Sequence, residues 1–315
     1  MREPNDYHTP VMLEEIARFL PHKSDGVFLD GTLGGGGHFW KMAEKLDTAG
    51  TLIGIDRDPE AVLWNRGRMR SCRPAVILEQ ARFSDFDDVL KSHDIPLLDG
   101  ILLDLGVSSR QIDFPARGFS YLHEGGLDMR MDPSTGIPAH ELIRRSSAEE
   151  LAAILRDFGE VNNASKIAAA IKNRSNQRPL LTTADLRDCC ATVFSNRLSI
   201  KLIARIFQAL RIAVNDELGE LQRFCAKVLD FLNPGGRLAV ISYHSLEDRM
   251  VKNYLRENER PCVCPPEIPR CVCDRVPLFK RLTKKAVRPS VQEIARNRRC
   301  RSARLRVAER TGAPR

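Results

Sequence analysis

Phe28-Leu29-Asp30-Gly31-Thr32-Leu33-Gly34-Gly35-Gly36-Gly37-His38 is an apolar run that meets an acid and then five glycines within seven residues. Such a run reads as a strand entering a tight turn, with a helix beginning near Phe39. Glycine brings main-chain N–H groups against a ligand with no Cβ in the way, so the turn reads as a cradle for a nucleotide-like cofactor. A dinucleotide fingerprint requires G-x-G-x-x-G. No register of these glycines completes it, because position 32 is Thr and position 39 is Phe. Hydride transfer from a dinucleotide is therefore disfavoured.

Outward from the turn, Thr51-Leu52-Ile53-Gly54-Ile55 is a second apolar strand that ends in Asp56, a carboxylate suited to ribose hydroxyls. One acid before a glycine turn and another after the next strand resemble the S-adenosylmethionine site of Rossmann-like methyltransferases. A helix near 59–70, a short strand Ala75–Leu78 leading to Phe83, and a fourth strand Gly100–Asp104 continue the βαβ rhythm of a parallel sheet. Asp104 stands where open α/β folds place their ligands, at the carboxyl end of a strand. From Phe114 to Val214 the rhythm changes to helical patterns near 138–144, 147–158, 163–174 and 182–194, with Ser147 and Glu150 spaced as a capping box. The sheet resumes after the stop signal Asn233-Pro234-Gly235-Gly236, with strand five over Arg237–Ser242 and His244 just beyond it. A histidine there is read two ways, as a substrate contact or as a hydrogen-bonded structural residue. The expected divisions are 1–113 and 215–315 for the sheet domain and 114–214 for an inserted helical substrate domain.

Composition narrows the setting. No run of about 18 apolar residues and no signal-peptide core is present, so the expectation is a soluble cytoplasmic protein with no membrane partner. Nine cysteines spread over 315 residues fit a reducing compartment better than a disulfide framework. The net charge of +8 is unevenly placed: residues 275–315 carry 14 Lys and Arg against Glu293 and Glu309, while the remainder, with 35 basic and 39 acidic residues, is net acidic. A basic C-terminal tail of this kind points to a polyanion, nucleic acid first.

Together Asp30 to His38, Ile55-Asp56-Arg57-Asp58, Ile101 to Ser109, Leu127 to Pro133, Phe207 to Ile212 with Val214 to Leu218, and Ser242 to Asp248 resemble the bacterial MraW family from His8 to Arg310. That family methylates the exocyclic N4 of a cytidine in the decoding region of small-subunit ribosomal RNA. The resemblance implies an α/β fold, a Rossmann-like S-adenosylmethionine-dependent methyltransferase sheet with an inserted all-helical domain. It implies cofactor contacts at Gly36, Gly37, His38, Asp56, Phe83, Asp104 and Gln111, beside Asp30, with Phe83 facing the adenine. The partner it implies is small-subunit ribosomal RNA, free or in the assembled small subunit; a homodimer is left open. The chain departs from the family at Val161-Asn162-Asn163, at Lys201-Leu202-Ile203 and at Arg110.

A cytosine amino group is a poor nucleophile that must be positioned and relieved of a proton. Asp104, with the hydroxyls of Ser108 and Ser109, supplies acceptors near strand four, and His244 is a further candidate. No cysteine lies beside that strand end, which argues against ring-carbon methylation through a thiolate. An Asn/Asp-Pro-Pro-Tyr/Phe turn would favour a DNA amino-methyltransferase; here the turn is Asp104-Leu105-Gly106-Val107. A decayed cofactor site would favour a non-enzymatic assembly factor, yet Asp30, the glycines and Asp56 are in place. Cys262, Cys264, Cys271 and Cys273 form two C-x-C pairs, read either as zinc ligands or as unligated thiols, and the catalytic site is expected to hold no metal.

Overall fold

The computed structural model describes residues 10–68, 72–194, 199–265, 267 and 272–313, so His8, where the family resemblance begins, and Cys271 lie outside the described residues. Helix α1 (Leu13–Phe19) buries Ile16 and leads to β1 (Val27–Asp30). The glycine turn opens into α2 (Gly37–Ala43), followed by β2 (Thr51–Asp56), α3 (Pro59–Arg68), β3 (Ala75–Gln80), α4 (Phe86–Ser92) and β4 (Leu98–Asp104). These four strands are parallel, with β1 between β2 and β4 and Leu29 opposite both Ile53 and Ile101. In β4 every residue from Leu98 to Leu103 is buried, the pattern of a strand covered on both faces.

The helical stretch contains α5 (Ser109–Asp113), α6 (Ala139–Arg145), α7 (Ala148–Gly159), α8 (Ala164–Gln177), α9 (Thr183–Thr192) and α10 (Ile200–Asn215). It has a core of its own, in which Ile143, Leu151, Leu155, Ile167, Ile171, Leu186, Ile206 and Leu210 are fully buried. Helix α10 is additional to the four helical patterns of the sequence, although Ile203, Ile206, Phe207 and Leu210 carry the i, i+3, i+4, i+7 spacing. Asn215 closes it: its Oδ1 accepts from the Met131 N–H at 2.8 Å and its Nδ2 donates to Met129 O at 2.7 Å. The Leu127 to Pro133 segment is tied down in this way. Two compact units divide the chain, Met1–Gly106 with Gly219–Arg315, and Val107–Leu218.

The sheet is completed by α11 (Glu217–Lys227), β5 (Leu232–Ser242), α12 (Ser245–Glu259), β6 (Phe279–Arg281), α13 (Val291–Arg296) and β7 (Arg304–Arg310), in the order β3-β2-β1-β4-β5-β7-β6. Two sequence expectations are corrected here. Strand five starts at Leu232, which pairs with Leu98, and the intended stop signal is a bulge: the next pair is Gly100 with Arg237, so residues 233–236 loop out. Proline has no N–H for a ladder, and such insertions accommodate it. The basic C-terminal tail is in part a strand. Antiparallel β7 lies between β5 and β6, with Leu305 and Val307 in the core and Arg306 nearly buried against Asp248 at 2.8 Å. Period-2 alternation of arginine with apolar residues over 304–307 is the signature that net charge conceals. Among the described residues no helix is long and apolar enough to cross a membrane.

Candidate cofactor and active site

Three acids end three neighbouring parallel strands: Asp30 on β1, Asp56 on β2 and Asp104 on β4. The glycine turn between β1 and α2 is fixed from several sides. Asp56 Oδ2 accepts from the Gly34 N–H at 2.8 Å, and its Oδ1 accepts from the Asp58 N–H at 2.8 Å. Asn65, fully buried on α3, donates from Nδ2 to Gly34 O at 2.9 Å, and Arg68 reaches Gly35 O at 3.4 Å. Gly36 takes φ 79°, a left-handed conformation that a side chain would strain, and it starts α2. With the Gly34 and Gly35 carbonyls held this way, no acceptor for the backbone N–H groups of Gly35, Gly37 and His38 is found among the described residues. Phe83 borders the same turn, half-buried, its ring edge-on to Phe224 at 5.9 Å and its Cβ 3.3 Å from where a Gly31 side chain would begin.

Asp104 is tied to two other segments of the sheet domain. Its N–H donates to Thr32 Oγ1 at 2.6 Å, which links the end of β4 to the turn after β1. The Tyr243 hydroxyl donates to Asp104 Oδ1 at 2.8 Å. Gly106, at φ 102°, lets the chain after β4 pass the Tyr243 ring, where an added Cβ would stand 3.4 Å from Cδ2. His38 is buried and donates from Nε2 to Val11 O at 2.8 Å; a carbonyl only accepts, so the proton sits on Nε2 and Nδ1 carries a lone pair. That Nδ1 is 3.8 Å from Asp104 Oδ2, too far for a hydrogen bond. The His38 side chain therefore packs against the N-terminal segment, and only its main chain belongs to the turn.

Burial dominates the electrostatics. It pushes Asp30 up to about 7, against the opposing pull of His38 and the Thr32 N–H, with Asp104 and Asp56 adding repulsion. It pushes Asp104 up to about 7 despite the Tyr243 hydrogen bond, and Asp56 up to about 6 despite two N–H donors. The same desolvation lowers His38, which stays neutral. Neighbouring strand ends thus carry carboxylates poorly compensated by positive charge, and a cationic ligand would relieve them.

The remaining sequence candidates have local structural duties. Ser108 and Gln111, in the other compact unit, form the capping box of α5: Ser108 Oγ accepts from the Gln111 N–H at 3.2 Å and Gln111 Oε1 from the Ser108 N–H at 3.0 Å. Ser109 is the first residue of α5. His244 is the N-cap of α12, its Nδ1 accepting from the Glu247 N–H at 3.4 Å and its Nε2 lying 3.1 Å from Glu247 Oε1. Tyr243, Thr32 and Asn65 were not singled out by the sequence. Tyr243 had one signal, its place directly after strand five; Asn65 had none, because an asparagine in a helix has no signature of the carbonyl it will reach.

The model of the MraW methylase family matches residues 5–311. Ribosomal RNA small subunit methyltransferase H of Caldicellulosiruptor saccharolyticus is 44% identical over 303 residues, 96% of this chain and 98% of the relative. The protein of the same name from Trichlorobacter lovleyi is 45% identical over 309 residues, 97% and 99% of the two chains. Among solved structures, an rRNA methylase from Streptococcus thermophilus superposes with a TM-score of 0.41 at 11% identity over 95% of this chain and 93% of that one, too distant a likeness to speak to function.

Proposed function

The chain belongs to the MraW methylase family, and we propose that it methylates the exocyclic N4 of a cytidine in small-subunit ribosomal RNA with S-adenosylmethionine as cofactor. The observation that carries the reading is the set of Asp30, Asp56 and Asp104 at adjacent strand ends around a turn whose Gly35, Gly37 and His38 N–H groups find no acceptor among the described residues. That donor set fits the cofactor: the N–H groups of Gly35, Gly37 and His38 suit its carboxylate, Asp56 its ribose, Phe83 its adenine, and the buried acids its positive charges. S-adenosylmethionine, when bound, supplies an electrophilic methyl group on a cationic sulfur.

The chain's own residues handle the amine. Its lone pair is delocalised into the ring, and methylation at nitrogen sheds a proton, so an acceptor must hold the N–H in line. Asp104 is that acceptor. Tyr243 occupies one lone pair of Oδ1 and orients the carboxylate, leaving Oδ2 to the amine. Thr32 fixes the main chain beneath it. His244, the N-cap of α12, stands as a further candidate contact for the base.

Nucleoside mass spectrometry tests the reading. Purified protein with S-adenosylmethionine is offered small-subunit particles and naked small-subunit RNA from a strain lacking the protein; N4-methylcytidine is the expected product, and comparing the two substrates reveals which one is used. A 5-methylcytidine product, or no methylated cytidine from either, would reject it. Asp104→Asn should lower single-turnover transfer by roughly 10²–10⁴-fold at saturating cofactor. Full recovery of the rate under saturation would confine Asp104 to cofactor binding.

A further inference from the structure

Residues 260–278 join α12 to β6, and among those described none is in a helix or strand. The connection runs from Arg260 to Leu278. Its ends are pinned together: the Leu278 N–H donates to Asn258 O at 2.8 Å, and Arg281 Nε meets Glu259 Oε2 at 2.7 Å. Its described valines are not held by burial: Val263, Val272 and Val276 are 62%, 69% and 44% exposed. Something other than an apolar core must fix the path between them.

Along that path three sulfurs converge. Cys262, Cys264 and Cys273 have their Sγ atoms within 4.8 Å of one another. The Val272 N–H donates to Cys264 Sγ at 3.4 Å, which ties the two limbs of the connection together. With Zn–S bonds of about 2.3 Å, tetrahedral geometry separates the sulfurs by roughly 3.8 Å, so closing around an ion asks for a contraction of only about 1 Å. The other described cysteines, Cys72, Cys189, Cys190, Cys225 and Cys300, form no such group of three.

We propose that Cys262, Cys264 and Cys273 form a thiolate site for Zn²⁺, a structural clip that closes the α12–β6 connection. The site lies outside the methyl-transfer chemistry. Its effect is to hold in place a loop too polar and too exposed to hold itself, as metal binding does in small domains without a core.

Metal analysis of the full-length protein, purified reduced and without chelators, tests this. About one equivalent of zinc is expected, released to a chromophoric chelator when a mercurial blocks the thiols. Cobalt substitution should give tetrahedral d–d bands and near-ultraviolet sulfur-to-cobalt charge transfer of an intensity requiring at least three Co–S bonds. Cys264→Ser and Cys273→Ser should each lower bound zinc at least tenfold while S-adenosylhomocysteine affinity stays as in the parent, which separates metal loss from misfolding. Less than a tenth of an equivalent of zinc with no cobalt–sulfur band in the unaltered protein would overturn the proposal. So would zinc retained in the Cys264→Ser, Cys273→Ser double variant, or an oxidised cysteine pair without metal under the same purification.

Discussion

At the scale of single residues, the pair Asp104 and Tyr243 decides when the proposed acceptor is available. Burial raises Asp104 to about 7, and the Tyr243 hydroxyl pulls it down. Removing that donor leaves burial unopposed, so Tyr243→Phe should move the acid limb of the single-turnover rate profile upward. A hydrogen bond to a charged group is worth about 1.5–3 kcal/mol, which corresponds to roughly one to two pH units. The variant should be slow at pH 7 and approach the parent rate near pH 9; a superimposable profile would show that the hydroxyl does not tune the acid. Asp56 makes a different demand. Both its oxygens already accept backbone N–H groups, from Gly34 and Asp58, so Asp56→Ala should weaken cofactor binding by undoing the turn as well as by losing the ribose contact. Calorimetric titration with S-adenosylhomocysteine should show at least a tenfold loss, and unchanged affinity would reject both roles. Asp56 could be read from the sequence because its type and its place at a strand end suffice. Asn65 and Thr32 could not, because their partners are backbone atoms whose positions only the folded turn defines.

At the scale of elements, local rules were legible wherever they decide locally. The Ser147 and Glu150 box exists as spaced, with the Glu150 N–H on Ser147 Oγ at 3.1 Å and the Ser147 N–H on Glu150 Oε2 at 2.7 Å. Ser147→Ala should cost about 1 kcal/mol of stability in denaturant melts, and a cost near zero would show the cap to be redundant. The strands that went unread are β6, only three residues long, and β7, whose arginines read as part of a basic tail. Alternation in Arg304–Val307 suits a docked final segment but does not announce insertion beside β5, and a net charge cannot distinguish arginines on a loop from arginines fixed by Asp248. Two outcomes follow for the basic segment. Truncation from Arg296 onward removes β7 from within the sheet and should abolish the cooperative melt. Replacing the exposed Arg298, Arg299 and Arg301 by Gln spares β7, so melting should be retained while the salt dependence of RNA binding flattens, by roughly 2 in the log–log slope if all three meet phosphates. Retained slope in that variant would assign RNA affinity to other surfaces.

At the scale of the whole molecule, acids of opposite behaviour coexist, and this gives the cofactor a pH signature. Burial pushes Asp248 up, but Arg306 and Arg304 outweigh it and hold its carboxyl below the ordinary range; Asp99 is likewise lowered by Lys23 and its N–H donors against burial. Stability from such groups is present above the ordinary carboxylate pKa of about 4 and is lost as pH falls through their folded values. Asp30, Asp104 and Asp56 run the other way. Their folded values lie at about 7, 7 and 6, so the folded chain binds more protons than the unfolded one between pH 4 and 7. Their contribution is fully present below about pH 4 and is lost as pH rises through 6 to 7. A cation between them favours the ionised forms and recovers that loss, so its binding should strengthen as pH rises toward 7 and then level off. S-adenosylmethionine carries a sulfonium charge and S-adenosylhomocysteine does not, while both share the amino acid and nucleoside parts. The difference in melting temperature between the two complexes should therefore grow from pH 5.5 to about 7.5 and flatten above it, with other titrations cancelling. Asp30→Asn should shrink that difference at pH 7.5. Parallel pH dependence for the two ligands would show that the buried acids answer to something other than the charge on sulfur.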